Sequence, residues 1–298
     1  MSDFDETFDF VIAGSGAGSM AAGLYLRAAG KRVLILEKTE LIGGSTARSG
    51  GVMWIPNNPF MARDGVEDSY DKATTYLESV TGGLEDAPAA TPERRRVFLT
   101  EGPRMLDFLL AQGIELDRPR YWPDYYDEAP GGSVPGRTVV ARLFNVNELG
   151  VWKDKLRDSF IKLPGDLPGS IEEMRQLPHM KRSWKFKGTL LKIICRGIIA
   201  RLTGKRFVGG GAALQGRMLQ AALRAGVDIR TGMPVRELVV EDGAVTGVVI
   251  EKEGRPWRVG SLLGVLVNTG GFAHNQRMRD QYQPGTSSDW SNAAPGDT

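Results

Sequence analysis

The feature that most constrains this chain is the run Gly14-Ser15-Gly16-Ala17-Gly18-Ser19, set between a short apolar segment and a helical one. Phe8 to Ala13 (FDFVIA) reads as a buried parallel strand that stops at the glycines. Gly16 to Gly30 is rich in alanine, leucine and methionine and reads as a helix, and Arg32 to Glu37 (RVLILE) reads as a second strand. Strand, glycine turn, helix and strand make a βαβ unit. Gly14 allows the tight turn out of the first strand. Gly16 lets the backbone approach a pyrophosphate seated on the N-terminal dipole of the helix. Ser19 stands where a third glycine is usual, and it is small enough for close helix–strand packing. Glu37 closes the second strand at about the ~20-residue spacing of an acid that binds ribose hydroxyls. An acid there disfavours a 2′-phosphate, so NADP is not expected. The alternative is a glycine-rich turn in an unrelated α/β protein, which would have to reproduce strand, helix and acid together.

The rest of the chain fills in around that unit. Ile42 to Asn58 is glycine-rich and polar and reads as an ordered loop or helix start. Glu67 to Thr81 and Pro92 to Gln112 read as helices, whereas Asp117 to Arg206 is less regular and carries tryptophans, tyrosines and prolines. Ala212 to Gly226 is helical and Val227 to Arg230 a strand. Pro234 to Val240 and Ala244 to Lys252 pair as a hairpin through Glu241-Asp242-Gly243. Leu263 to Asn268 is a further buried strand, ending in Thr269-Gly270-Gly271.

Composition excludes several functions. The 298 residues suffice for one large or two ordinary domains with a sizeable core. A net charge of +2 gives no footing for nucleic-acid binding. One cysteine, Cys195, precludes an intrachain disulfide, and with only His179 and His274 beside it no Cys/His metal site is expected. The acidic start MSDFDETF lacks the basic region of a secretory signal, and no segment has the ~18 apolar residues of a membrane span. The expected location is cytoplasmic.

The segment from Lys38 to Gly51 decides which dinucleotide is expected. Its clustered small and hydroxylated residues suit a backbone wrapped around a long cofactor, with amides and hydroxyls reaching both the pyrophosphate and a flavin edge. That favours FAD over NAD. A flexible loop is the alternative, but Trp54 and Ile55 just beyond suggest packing.

Residues 43 to 58, GGSTARSGGVMWIPNN, closely resemble the flavin-binding segment of 3-ketosteroid Δ1-dehydrogenases, members of the fumarate reductase/succinate dehydrogenase flavoprotein superfamily. The stretches Tyr121 to Gly132, Gly209 to Leu214 and Leu266 to Phe272 resemble other parts of the same family. The resemblance implies an α/β architecture: a Rossmann-like FAD-binding domain with a parallel sheet and a β-hairpin insertion, plus part of an α+β substrate (cap) domain. The expected division is 1–116 and 207–298 for the FAD-binding domain and 117–206 for the cap.

Residue by residue, the resemblance implies that Gly14, Ser15, Gly16, Ala17 and Gly18 cradle the pyrophosphate. Glu37, with Lys38 beside it, binds the adenosine ribose. Gly44, Ser45, Thr46, Ser49, Gly50 and Gly51 line the pyrophosphate and isoalloxazine, Val235 meets the adenine through its backbone, and Gly270 lies beneath the cofactor. Tyr125 matches an active-site tyrosine that assists the catalytic base, and Trp122 a substrate-pocket aromatic. Without the resemblance, Tyr125 and Tyr126 read as ordinary aromatics. The implied reaction takes a proton from C2 and a hydride from C1 of a 3-ketosteroid, the hydride going to flavin N5 and electrons onward to an unidentified acceptor. The developing enolate needs hydrogen-bond donors. Neither histidine falls within residues 43 to 51, where a covalent flavin link would sit, so FAD is expected to be non-covalent.

Further expectations bear on the outcome. The chain stops at Asn292 to Thr298, which resembles the start of a family Gly-Asp-Gly segment, so it reads as an N-terminal fragment lacking the principal base and a wall of the flavin pocket. The rival functions are a Δ4-(5α) dehydrogenase or another ring-ketone flavoenzyme, a fumarate-type reductase, and a catalytically inactive flavin-binding remnant. Lys181 to Arg206 contains no acid and places Leu190, Ile194, Ile198 and Leu202 on one face of a helix, with Leu191, Cys195 and Ile199 beside it. A core-facing helix with a solvated basic face is the preferred reading, which makes Cys195 an inert core thiol. The other is peripheral contact with an anionic membrane, at the inner face of the cell membrane. His274 is read as structural.

Overall fold

The computed structural model describes residues 3–83, 87–160, 163–175, 179 and 184–298. It divides into two compact units, one of residues 1–51, 143–168 and 193–298, the other of residues 52–142 and 169–192. The first unit opens with β1 (Glu6–Phe8), β2 (Phe10–Ala13), α1 (Ala17–Ala28), β3 (Val33–Leu36) and α2 (Gly44–Arg48). The second holds β4 (Met53–Trp54), α3 (Pro59–Arg63), α4 (Tyr70–Thr81), α5 (Pro92–Ala111), β5 (Leu116–Asp117) and β6 (Thr138–Ala141). The chain re-enters the first unit at β7 (Phe144–Asn145) and returns to the second for α6 (Ile171–Met174). In α7 (Trp184–Leu202) the boundary falls after Lys192. The first unit is completed by β8 (Phe207–Val208), α8 (Gly210–Arg224), β9 (Asp228–Arg230), β10 (Val235–Glu241), β11 (Ala244–Lys252), β12 (Arg255–Ser261), β13 (Val265–Val267) and α9 (Gln276–Tyr282). This division differs from the sequence-based one at 116 and 206: the second unit begins at Val52, and 143–168 belongs with the first.

Two four-stranded sheets build the first unit. One is wholly parallel, in the order β13-β2-β3-β9, and the other runs β1-β12-β11-β10. Strands β2 and β3 are buried along nearly their whole length, as their unbroken apolar runs require of a covered parallel sheet. Phe8, Val11, Leu34, Leu36, Val248, Ile250 and Val259 form one buried cluster shared by the two sheets.

The run from Phe8 to Ala13, expected as one strand, is split at Asp9. Its carboxylate accepts from the Arg32 N–H at 2.7 Å, and β1 and β2 part to different sheets. The hairpin β10–β11 turns through Asp242 and Gly243, both left-handed at φ 50° and 80°, the geometry of a type I′ turn. Strand β12 is absent from the sequence reading, because Pro256 and two arginines break the pattern. Strand β1 reaches only Val259–Ser261, so Pro256 lies at a sheet edge, where proline is tolerated. The expected ordered segment Ile42 to Asn58 resolves into α2 and β4.

Helix α7 corrects two expectations. Its buried side is Phe186, Ile193 and Ala200, with Gly197 against Leu167. The face of Leu190, Ile194, Ile198 and Leu202 is exposed, with Ile198 51% accessible against 1% for Ile193. Cys195 is likewise exposed and is no core thiol. Periodicity identified the apolar face but not which side the protein covers. Residues 181–183 of the basic segment lie outside the described residues. Among those described, no helix is long and apolar enough to cross a membrane.

Candidate dinucleotide site and the aromatic segment

A cavity of about 460 Å³ opens in the first unit where β2, β3 and β13 end and α1 begins. Gly14 leaves β2 at φ 96° and donates its N–H to Leu36 O at 2.7 Å. A Cβ there would fall 2.3 Å from the Asn268 carbonyl, so the turn presses directly onto the end of β13. Gly16 is different. It caps α1 at an ordinary φ of −67°, and a Cβ would meet only Thr46 Oγ1, at 3.7 Å. Nothing in the chain's own packing requires glycine at this point, and the space a side chain would fill belongs to the cavity. Gly44 is equally open, with nothing among the described residues within 4 Å of an added Cβ. Helix α1 carries no acidic residue in its first turn and no side-chain cap from Gly16; the Thr46 hydroxyl accepts from Ala17 N at 3.4 Å, and the N-terminal dipole is directed at the cavity. Gly18 and the buried Ser19 pack on Asn268, whose Nδ2 donates to Ser19 Oγ at 2.9 Å.

Glu37 ends β3 at 7% exposure on the cavity wall. Its carboxylate accepts from the Thr39 N–H and hydroxyl, both at 2.9 Å, and from Ser15 Oγ. Ser15 Oγ in turn accepts from Gly43 N at 2.9 Å, tying the first glycine turn to the second. Gly43 and Gly44 are left-handed at φ 109° and 48° and start α2. Ser45 donates to Asp297 at 2.7 Å and accepts from Ala294 N at 2.8 Å, while Lys38 Nζ donates to Gly296 O at 3.3 Å and to Thr298 Oγ1.

The sequence-derived residues Gly14, Ser15, Gly16, Ala17, Gly18, Glu37, Lys38, Gly44, Ser45, Thr46, Val235 and Gly270 all line this one cavity. Ser49, Gly50 and Gly51 do not. Ser49 closes α2, and Gly51 meets the start of α8 so closely that a Cβ would fall 2.5 Å from Gly211 N. The sequence reading missed Arg236, Arg157 and Asp297, which also line the cavity, as do Asn268 and Thr269 from the stretch 266–272 that resembles the strand and turn beneath the cofactor. Asp297 had a signal, in the Gly-Asp resemblance at the end of the chain; Arg157 had none. Two backbone atoms of His274 and Asp297 are joined at 2.8 Å, and the His274 ring meets Ala293 O at 3.1 Å.

The second unit holds the aromatic segment in a different way. Tyr125 is 98% exposed, and Trp122 is half-buried with the Arg175 guanidinium 4.8 Å from its ring. Between them Asp124 is buried and accepts from Trp54 Nε1 at 2.7 Å, Ser133 N at 3.1 Å and Arg137 Nη1 at 2.6 Å. Arg137 is fully buried. It also bonds Asp68 at 2.7 and 2.9 Å and Gly131 O at 2.9 Å. Its guanidinium lies 5.8 Å from the Trp54 ring and 5.4 Å from that of Tyr76. Burial pushes the Asp68 carboxyl up, but the Arg137 hydrogen bonds and charge and the Asn57 N–H outweigh it and hold it below its ordinary value. Among the described residues no cluster of three or more His, Cys, Asp or Glu side chains could hold a metal ion.

Residues 9–298 match the family model described as an FAD binding domain. The chain is 36% identical over 284 residues to a 3-oxosteroid 1-dehydrogenase of Mycobacterium tuberculosis, covering 93% of this chain and 50% of that protein. It is 30% identical over 281 residues to a 4-oxocyclohexanecarboxylate 2-dehydrogenase of Sinomonas cyclohexanicum, covering 92% of this chain and 45% of that protein. A crystal structure of 3-ketosteroid delta1-dehydrogenase from Sterolibacterium denitrificans, in complex with 1,4-androstadiene-3,17-dione, superposes with a TM-score of 0.85 at 31% identity, over 97% of this chain and 52% of that one. The chain thus spans about half the length of the curated relatives it matches.

Proposed function

This chain belongs to the FAD binding domain family, and we propose that it forms the FAD-binding part of a flavoprotein that dehydrogenates 3-ketosteroids between C1 and C2. The observation that carries the reading is the 36% identity to a 3-oxosteroid 1-dehydrogenase over nearly the whole chain. The cavity supports the cofactor. Gly16 and Gly44 leave space that the chain's own packing does not use, α1 presents its N-terminus to the cavity, and Glu37 stands at the end of β3.

In this reading Gly14 sets the turn, and the amides from Ser15 to Gly18 with the α1 dipole hold the pyrophosphate. Glu37 accepts from the adenosine ribose hydroxyls, Val235 faces the adenine, and Ser45 and Thr46 supply hydroxyls along the cavity. In this reading the cofactor is held non-covalently, by these contacts alone. FAD, when bound, supplies the acceptor for the hydride that leaves C1. The exposed Tyr125 hydroxyl is available to assist removal of the C2 proton, and Trp122 to contact the flat apolar ring system. Ser49, Gly50 and Gly51 shape the flavin end from behind, through α2 and α8. The electron acceptor is left open.

The test is anaerobic addition of androst-4-ene-3,17-dione to the FAD-loaded protein that carries this chain. Loss of the flavin's visible absorbance is expected. Bleaching by 4-oxocyclohexanecarboxylate and not by the steroid would move the reading to a ring-ketone flavoenzyme of the kind found in Sinomonas cyclohexanicum.

A second reading concerns location. The exposed face of Leu191, Ile194, Ile198, Ile199 and Leu202 is flanked by Lys192, Arg196 and Arg201, and residues 184–206 contain no acid. An apolar stripe with a basic border suits the interface of an anionic bilayer. Flotation with phosphatidylserine vesicles is expected to carry the protein up. Equal recovery with neutral vesicles, or none with either, rules the idea out.

A further inference from the structure

Arg157 lines the same cavity but belongs to a segment that the fingerprint does not reach. It is 7% exposed. Its backbone is fixed by a parallel bridge between Leu156 and Ile42, with Ile42 N to Lys155 O at 2.7 Å and Arg157 N to Ile42 O at 3.0 Å. One Nη donates to Thr39 Oγ1 at 2.8 Å and to Leu41 O at 3.2 Å. The Thr39 hydroxyl donates onward to Glu37, so Arg157 and Glu37 are joined through one side chain. The Nε of Arg157 is buried and has no hydrogen-bond partner among the described residues. A buried guanidinium with an unmet donor is costly unless something else accepts from it. Burial drives its pKa down, partly offset by the Glu37 charge, which marks the cation as short of counter-charge.

The other charged walls are committed. Lys38 Nζ is bonded to Gly296 O and Thr298 Oγ1, and Arg236 is paired with Glu251 at 3.0 Å near the surface. Glu37 and Asp297 are both acidic and both face the cavity. A dianionic diphosphate entering beside two carboxylates is stabilised by a buried cation in addition to the α1 dipole. We propose that Arg157 is that cation: its guanidinium neutralises Glu37 in the empty site and donates to the diphosphate of the bound dinucleotide.

This inference rests on the FAD reading, and its test separates the two. Binding of FAD, and separately of ADP as the probe for the adenosine-diphosphate half, is titrated on wild-type, Arg157→Met and Arg157→Lys protein over a range of salt. Arg157→Met is expected to weaken both ligands about tenfold or more, the scale of a charge-assisted hydrogen bond, and to flatten the salt dependence. Arg157→Lys is expected to recover most of the affinity. Wild-type binding with an unaffected Arg157→Met variant overturns the inference and leaves the FAD reading standing. Weakened binding with an unchanged salt slope and no rescue by lysine also overturns it, since Arg157 would then only brace Thr39 and Leu41. A wild-type chain that takes up neither ligand removes the FAD reading and the inference together.

Discussion

The glycine turn of the first unit and the aromatic segment of the second are the two loops to which the proposed function assigns roles, and they are stabilised by opposite means. The turn from Gly14 to Ser19 is held by backbone. Left-handed φ, close approach to Asn268 and ladder hydrogen bonds do the work, and few side chains are involved. The segment around Tyr125 is held by charge, through Arg137 buried between Asp68 and Asp124. A backbone-held loop fails when a side chain is added. A charge-held loop fails when one partner is removed, because the others are left buried and unpaired.

The largest effect that tests this contrast is therefore expected at Arg137. Arg137→Met keeps most of the volume and strands two carboxylates that are 1% and 0% exposed. A loss of about 3–5 kcal/mol is expected. Hydrogen exchange read by segment should show protection falling in 52–142 and surviving in β2, α1 and β3. Uniform loss across both units would break the comparison.

Next in size is a pair of glycine substitutions that should act with opposite sign. Gly14→Ala places a Cβ at φ 96° and 2.3 Å from a carbonyl, so at least the ~1–3 kcal/mol of a strained backbone is expected to be lost. Gly16→Ser adds a good N-cap residue to α1 where only Thr46 Oγ1 lies near. The empty protein should gain a few tenths of a kcal/mol or stay level, while FAD binding falls sharply. Thermal unfolding without cofactor, beside an FAD titration, checks both. If Gly16→Ser binds FAD normally, the open space at Gly16 is not where the cofactor lies.

Those two glycines also mark how far the sequence could be read. The fingerprint, the acid at Glu37 and the hairpin turn are local, and their spacing carries the geometry. Arg157 reaches Thr39 across 118 positions and Asp297 reaches Ser45 across 252. Only tertiary structure brings them together, and an arginine in an irregular stretch announces nothing. The same holds for Arg137 with Asp68, 69 positions apart. Helix α7 shows a third limit. Its apolar face was legible from period, but coverage depends on Leu167 and Pro168 meeting Gly197 on another side.

Acid should divide the two regions more gently. The folded Asp68 carboxyl lies below its ordinary value of 3.8, held there by Arg137. The native state is thus harder to protonate than the unfolded chain. The stability from this pair is complete above that ordinary value and is lost as pH falls through the lower, folded one. Glu6 in the first unit is held below 4.5 by Arg230 in the same sense, but that pair is partly exposed and its share is smaller. Segment-resolved exchange between pH 5 and 2 is expected to release 52–142 before β2 and β3. The reverse order would mean that the Arg137 cluster is not what holds the second unit.

The smallest effect is expected at Tyr125, which is why it is informative. At 98% exposure its ring buries almost nothing, so Tyr125→Phe should leave stability within about 0.5 kcal/mol of wild type. The neighbouring Asp124 keeps its three bonds to Trp54, Ser133 and Arg137, so the backbone that carries Tyr125 stays in place. Any fall in steroid-driven flavin reduction can then be assigned to the lost hydroxyl rather than to a displaced loop. A drop in rate with unchanged stability and unchanged FAD affinity supports a part in proton removal. An unchanged rate would make Tyr125 a surface aromatic, and would leave the buried charge cluster beneath it without a catalytic group to position.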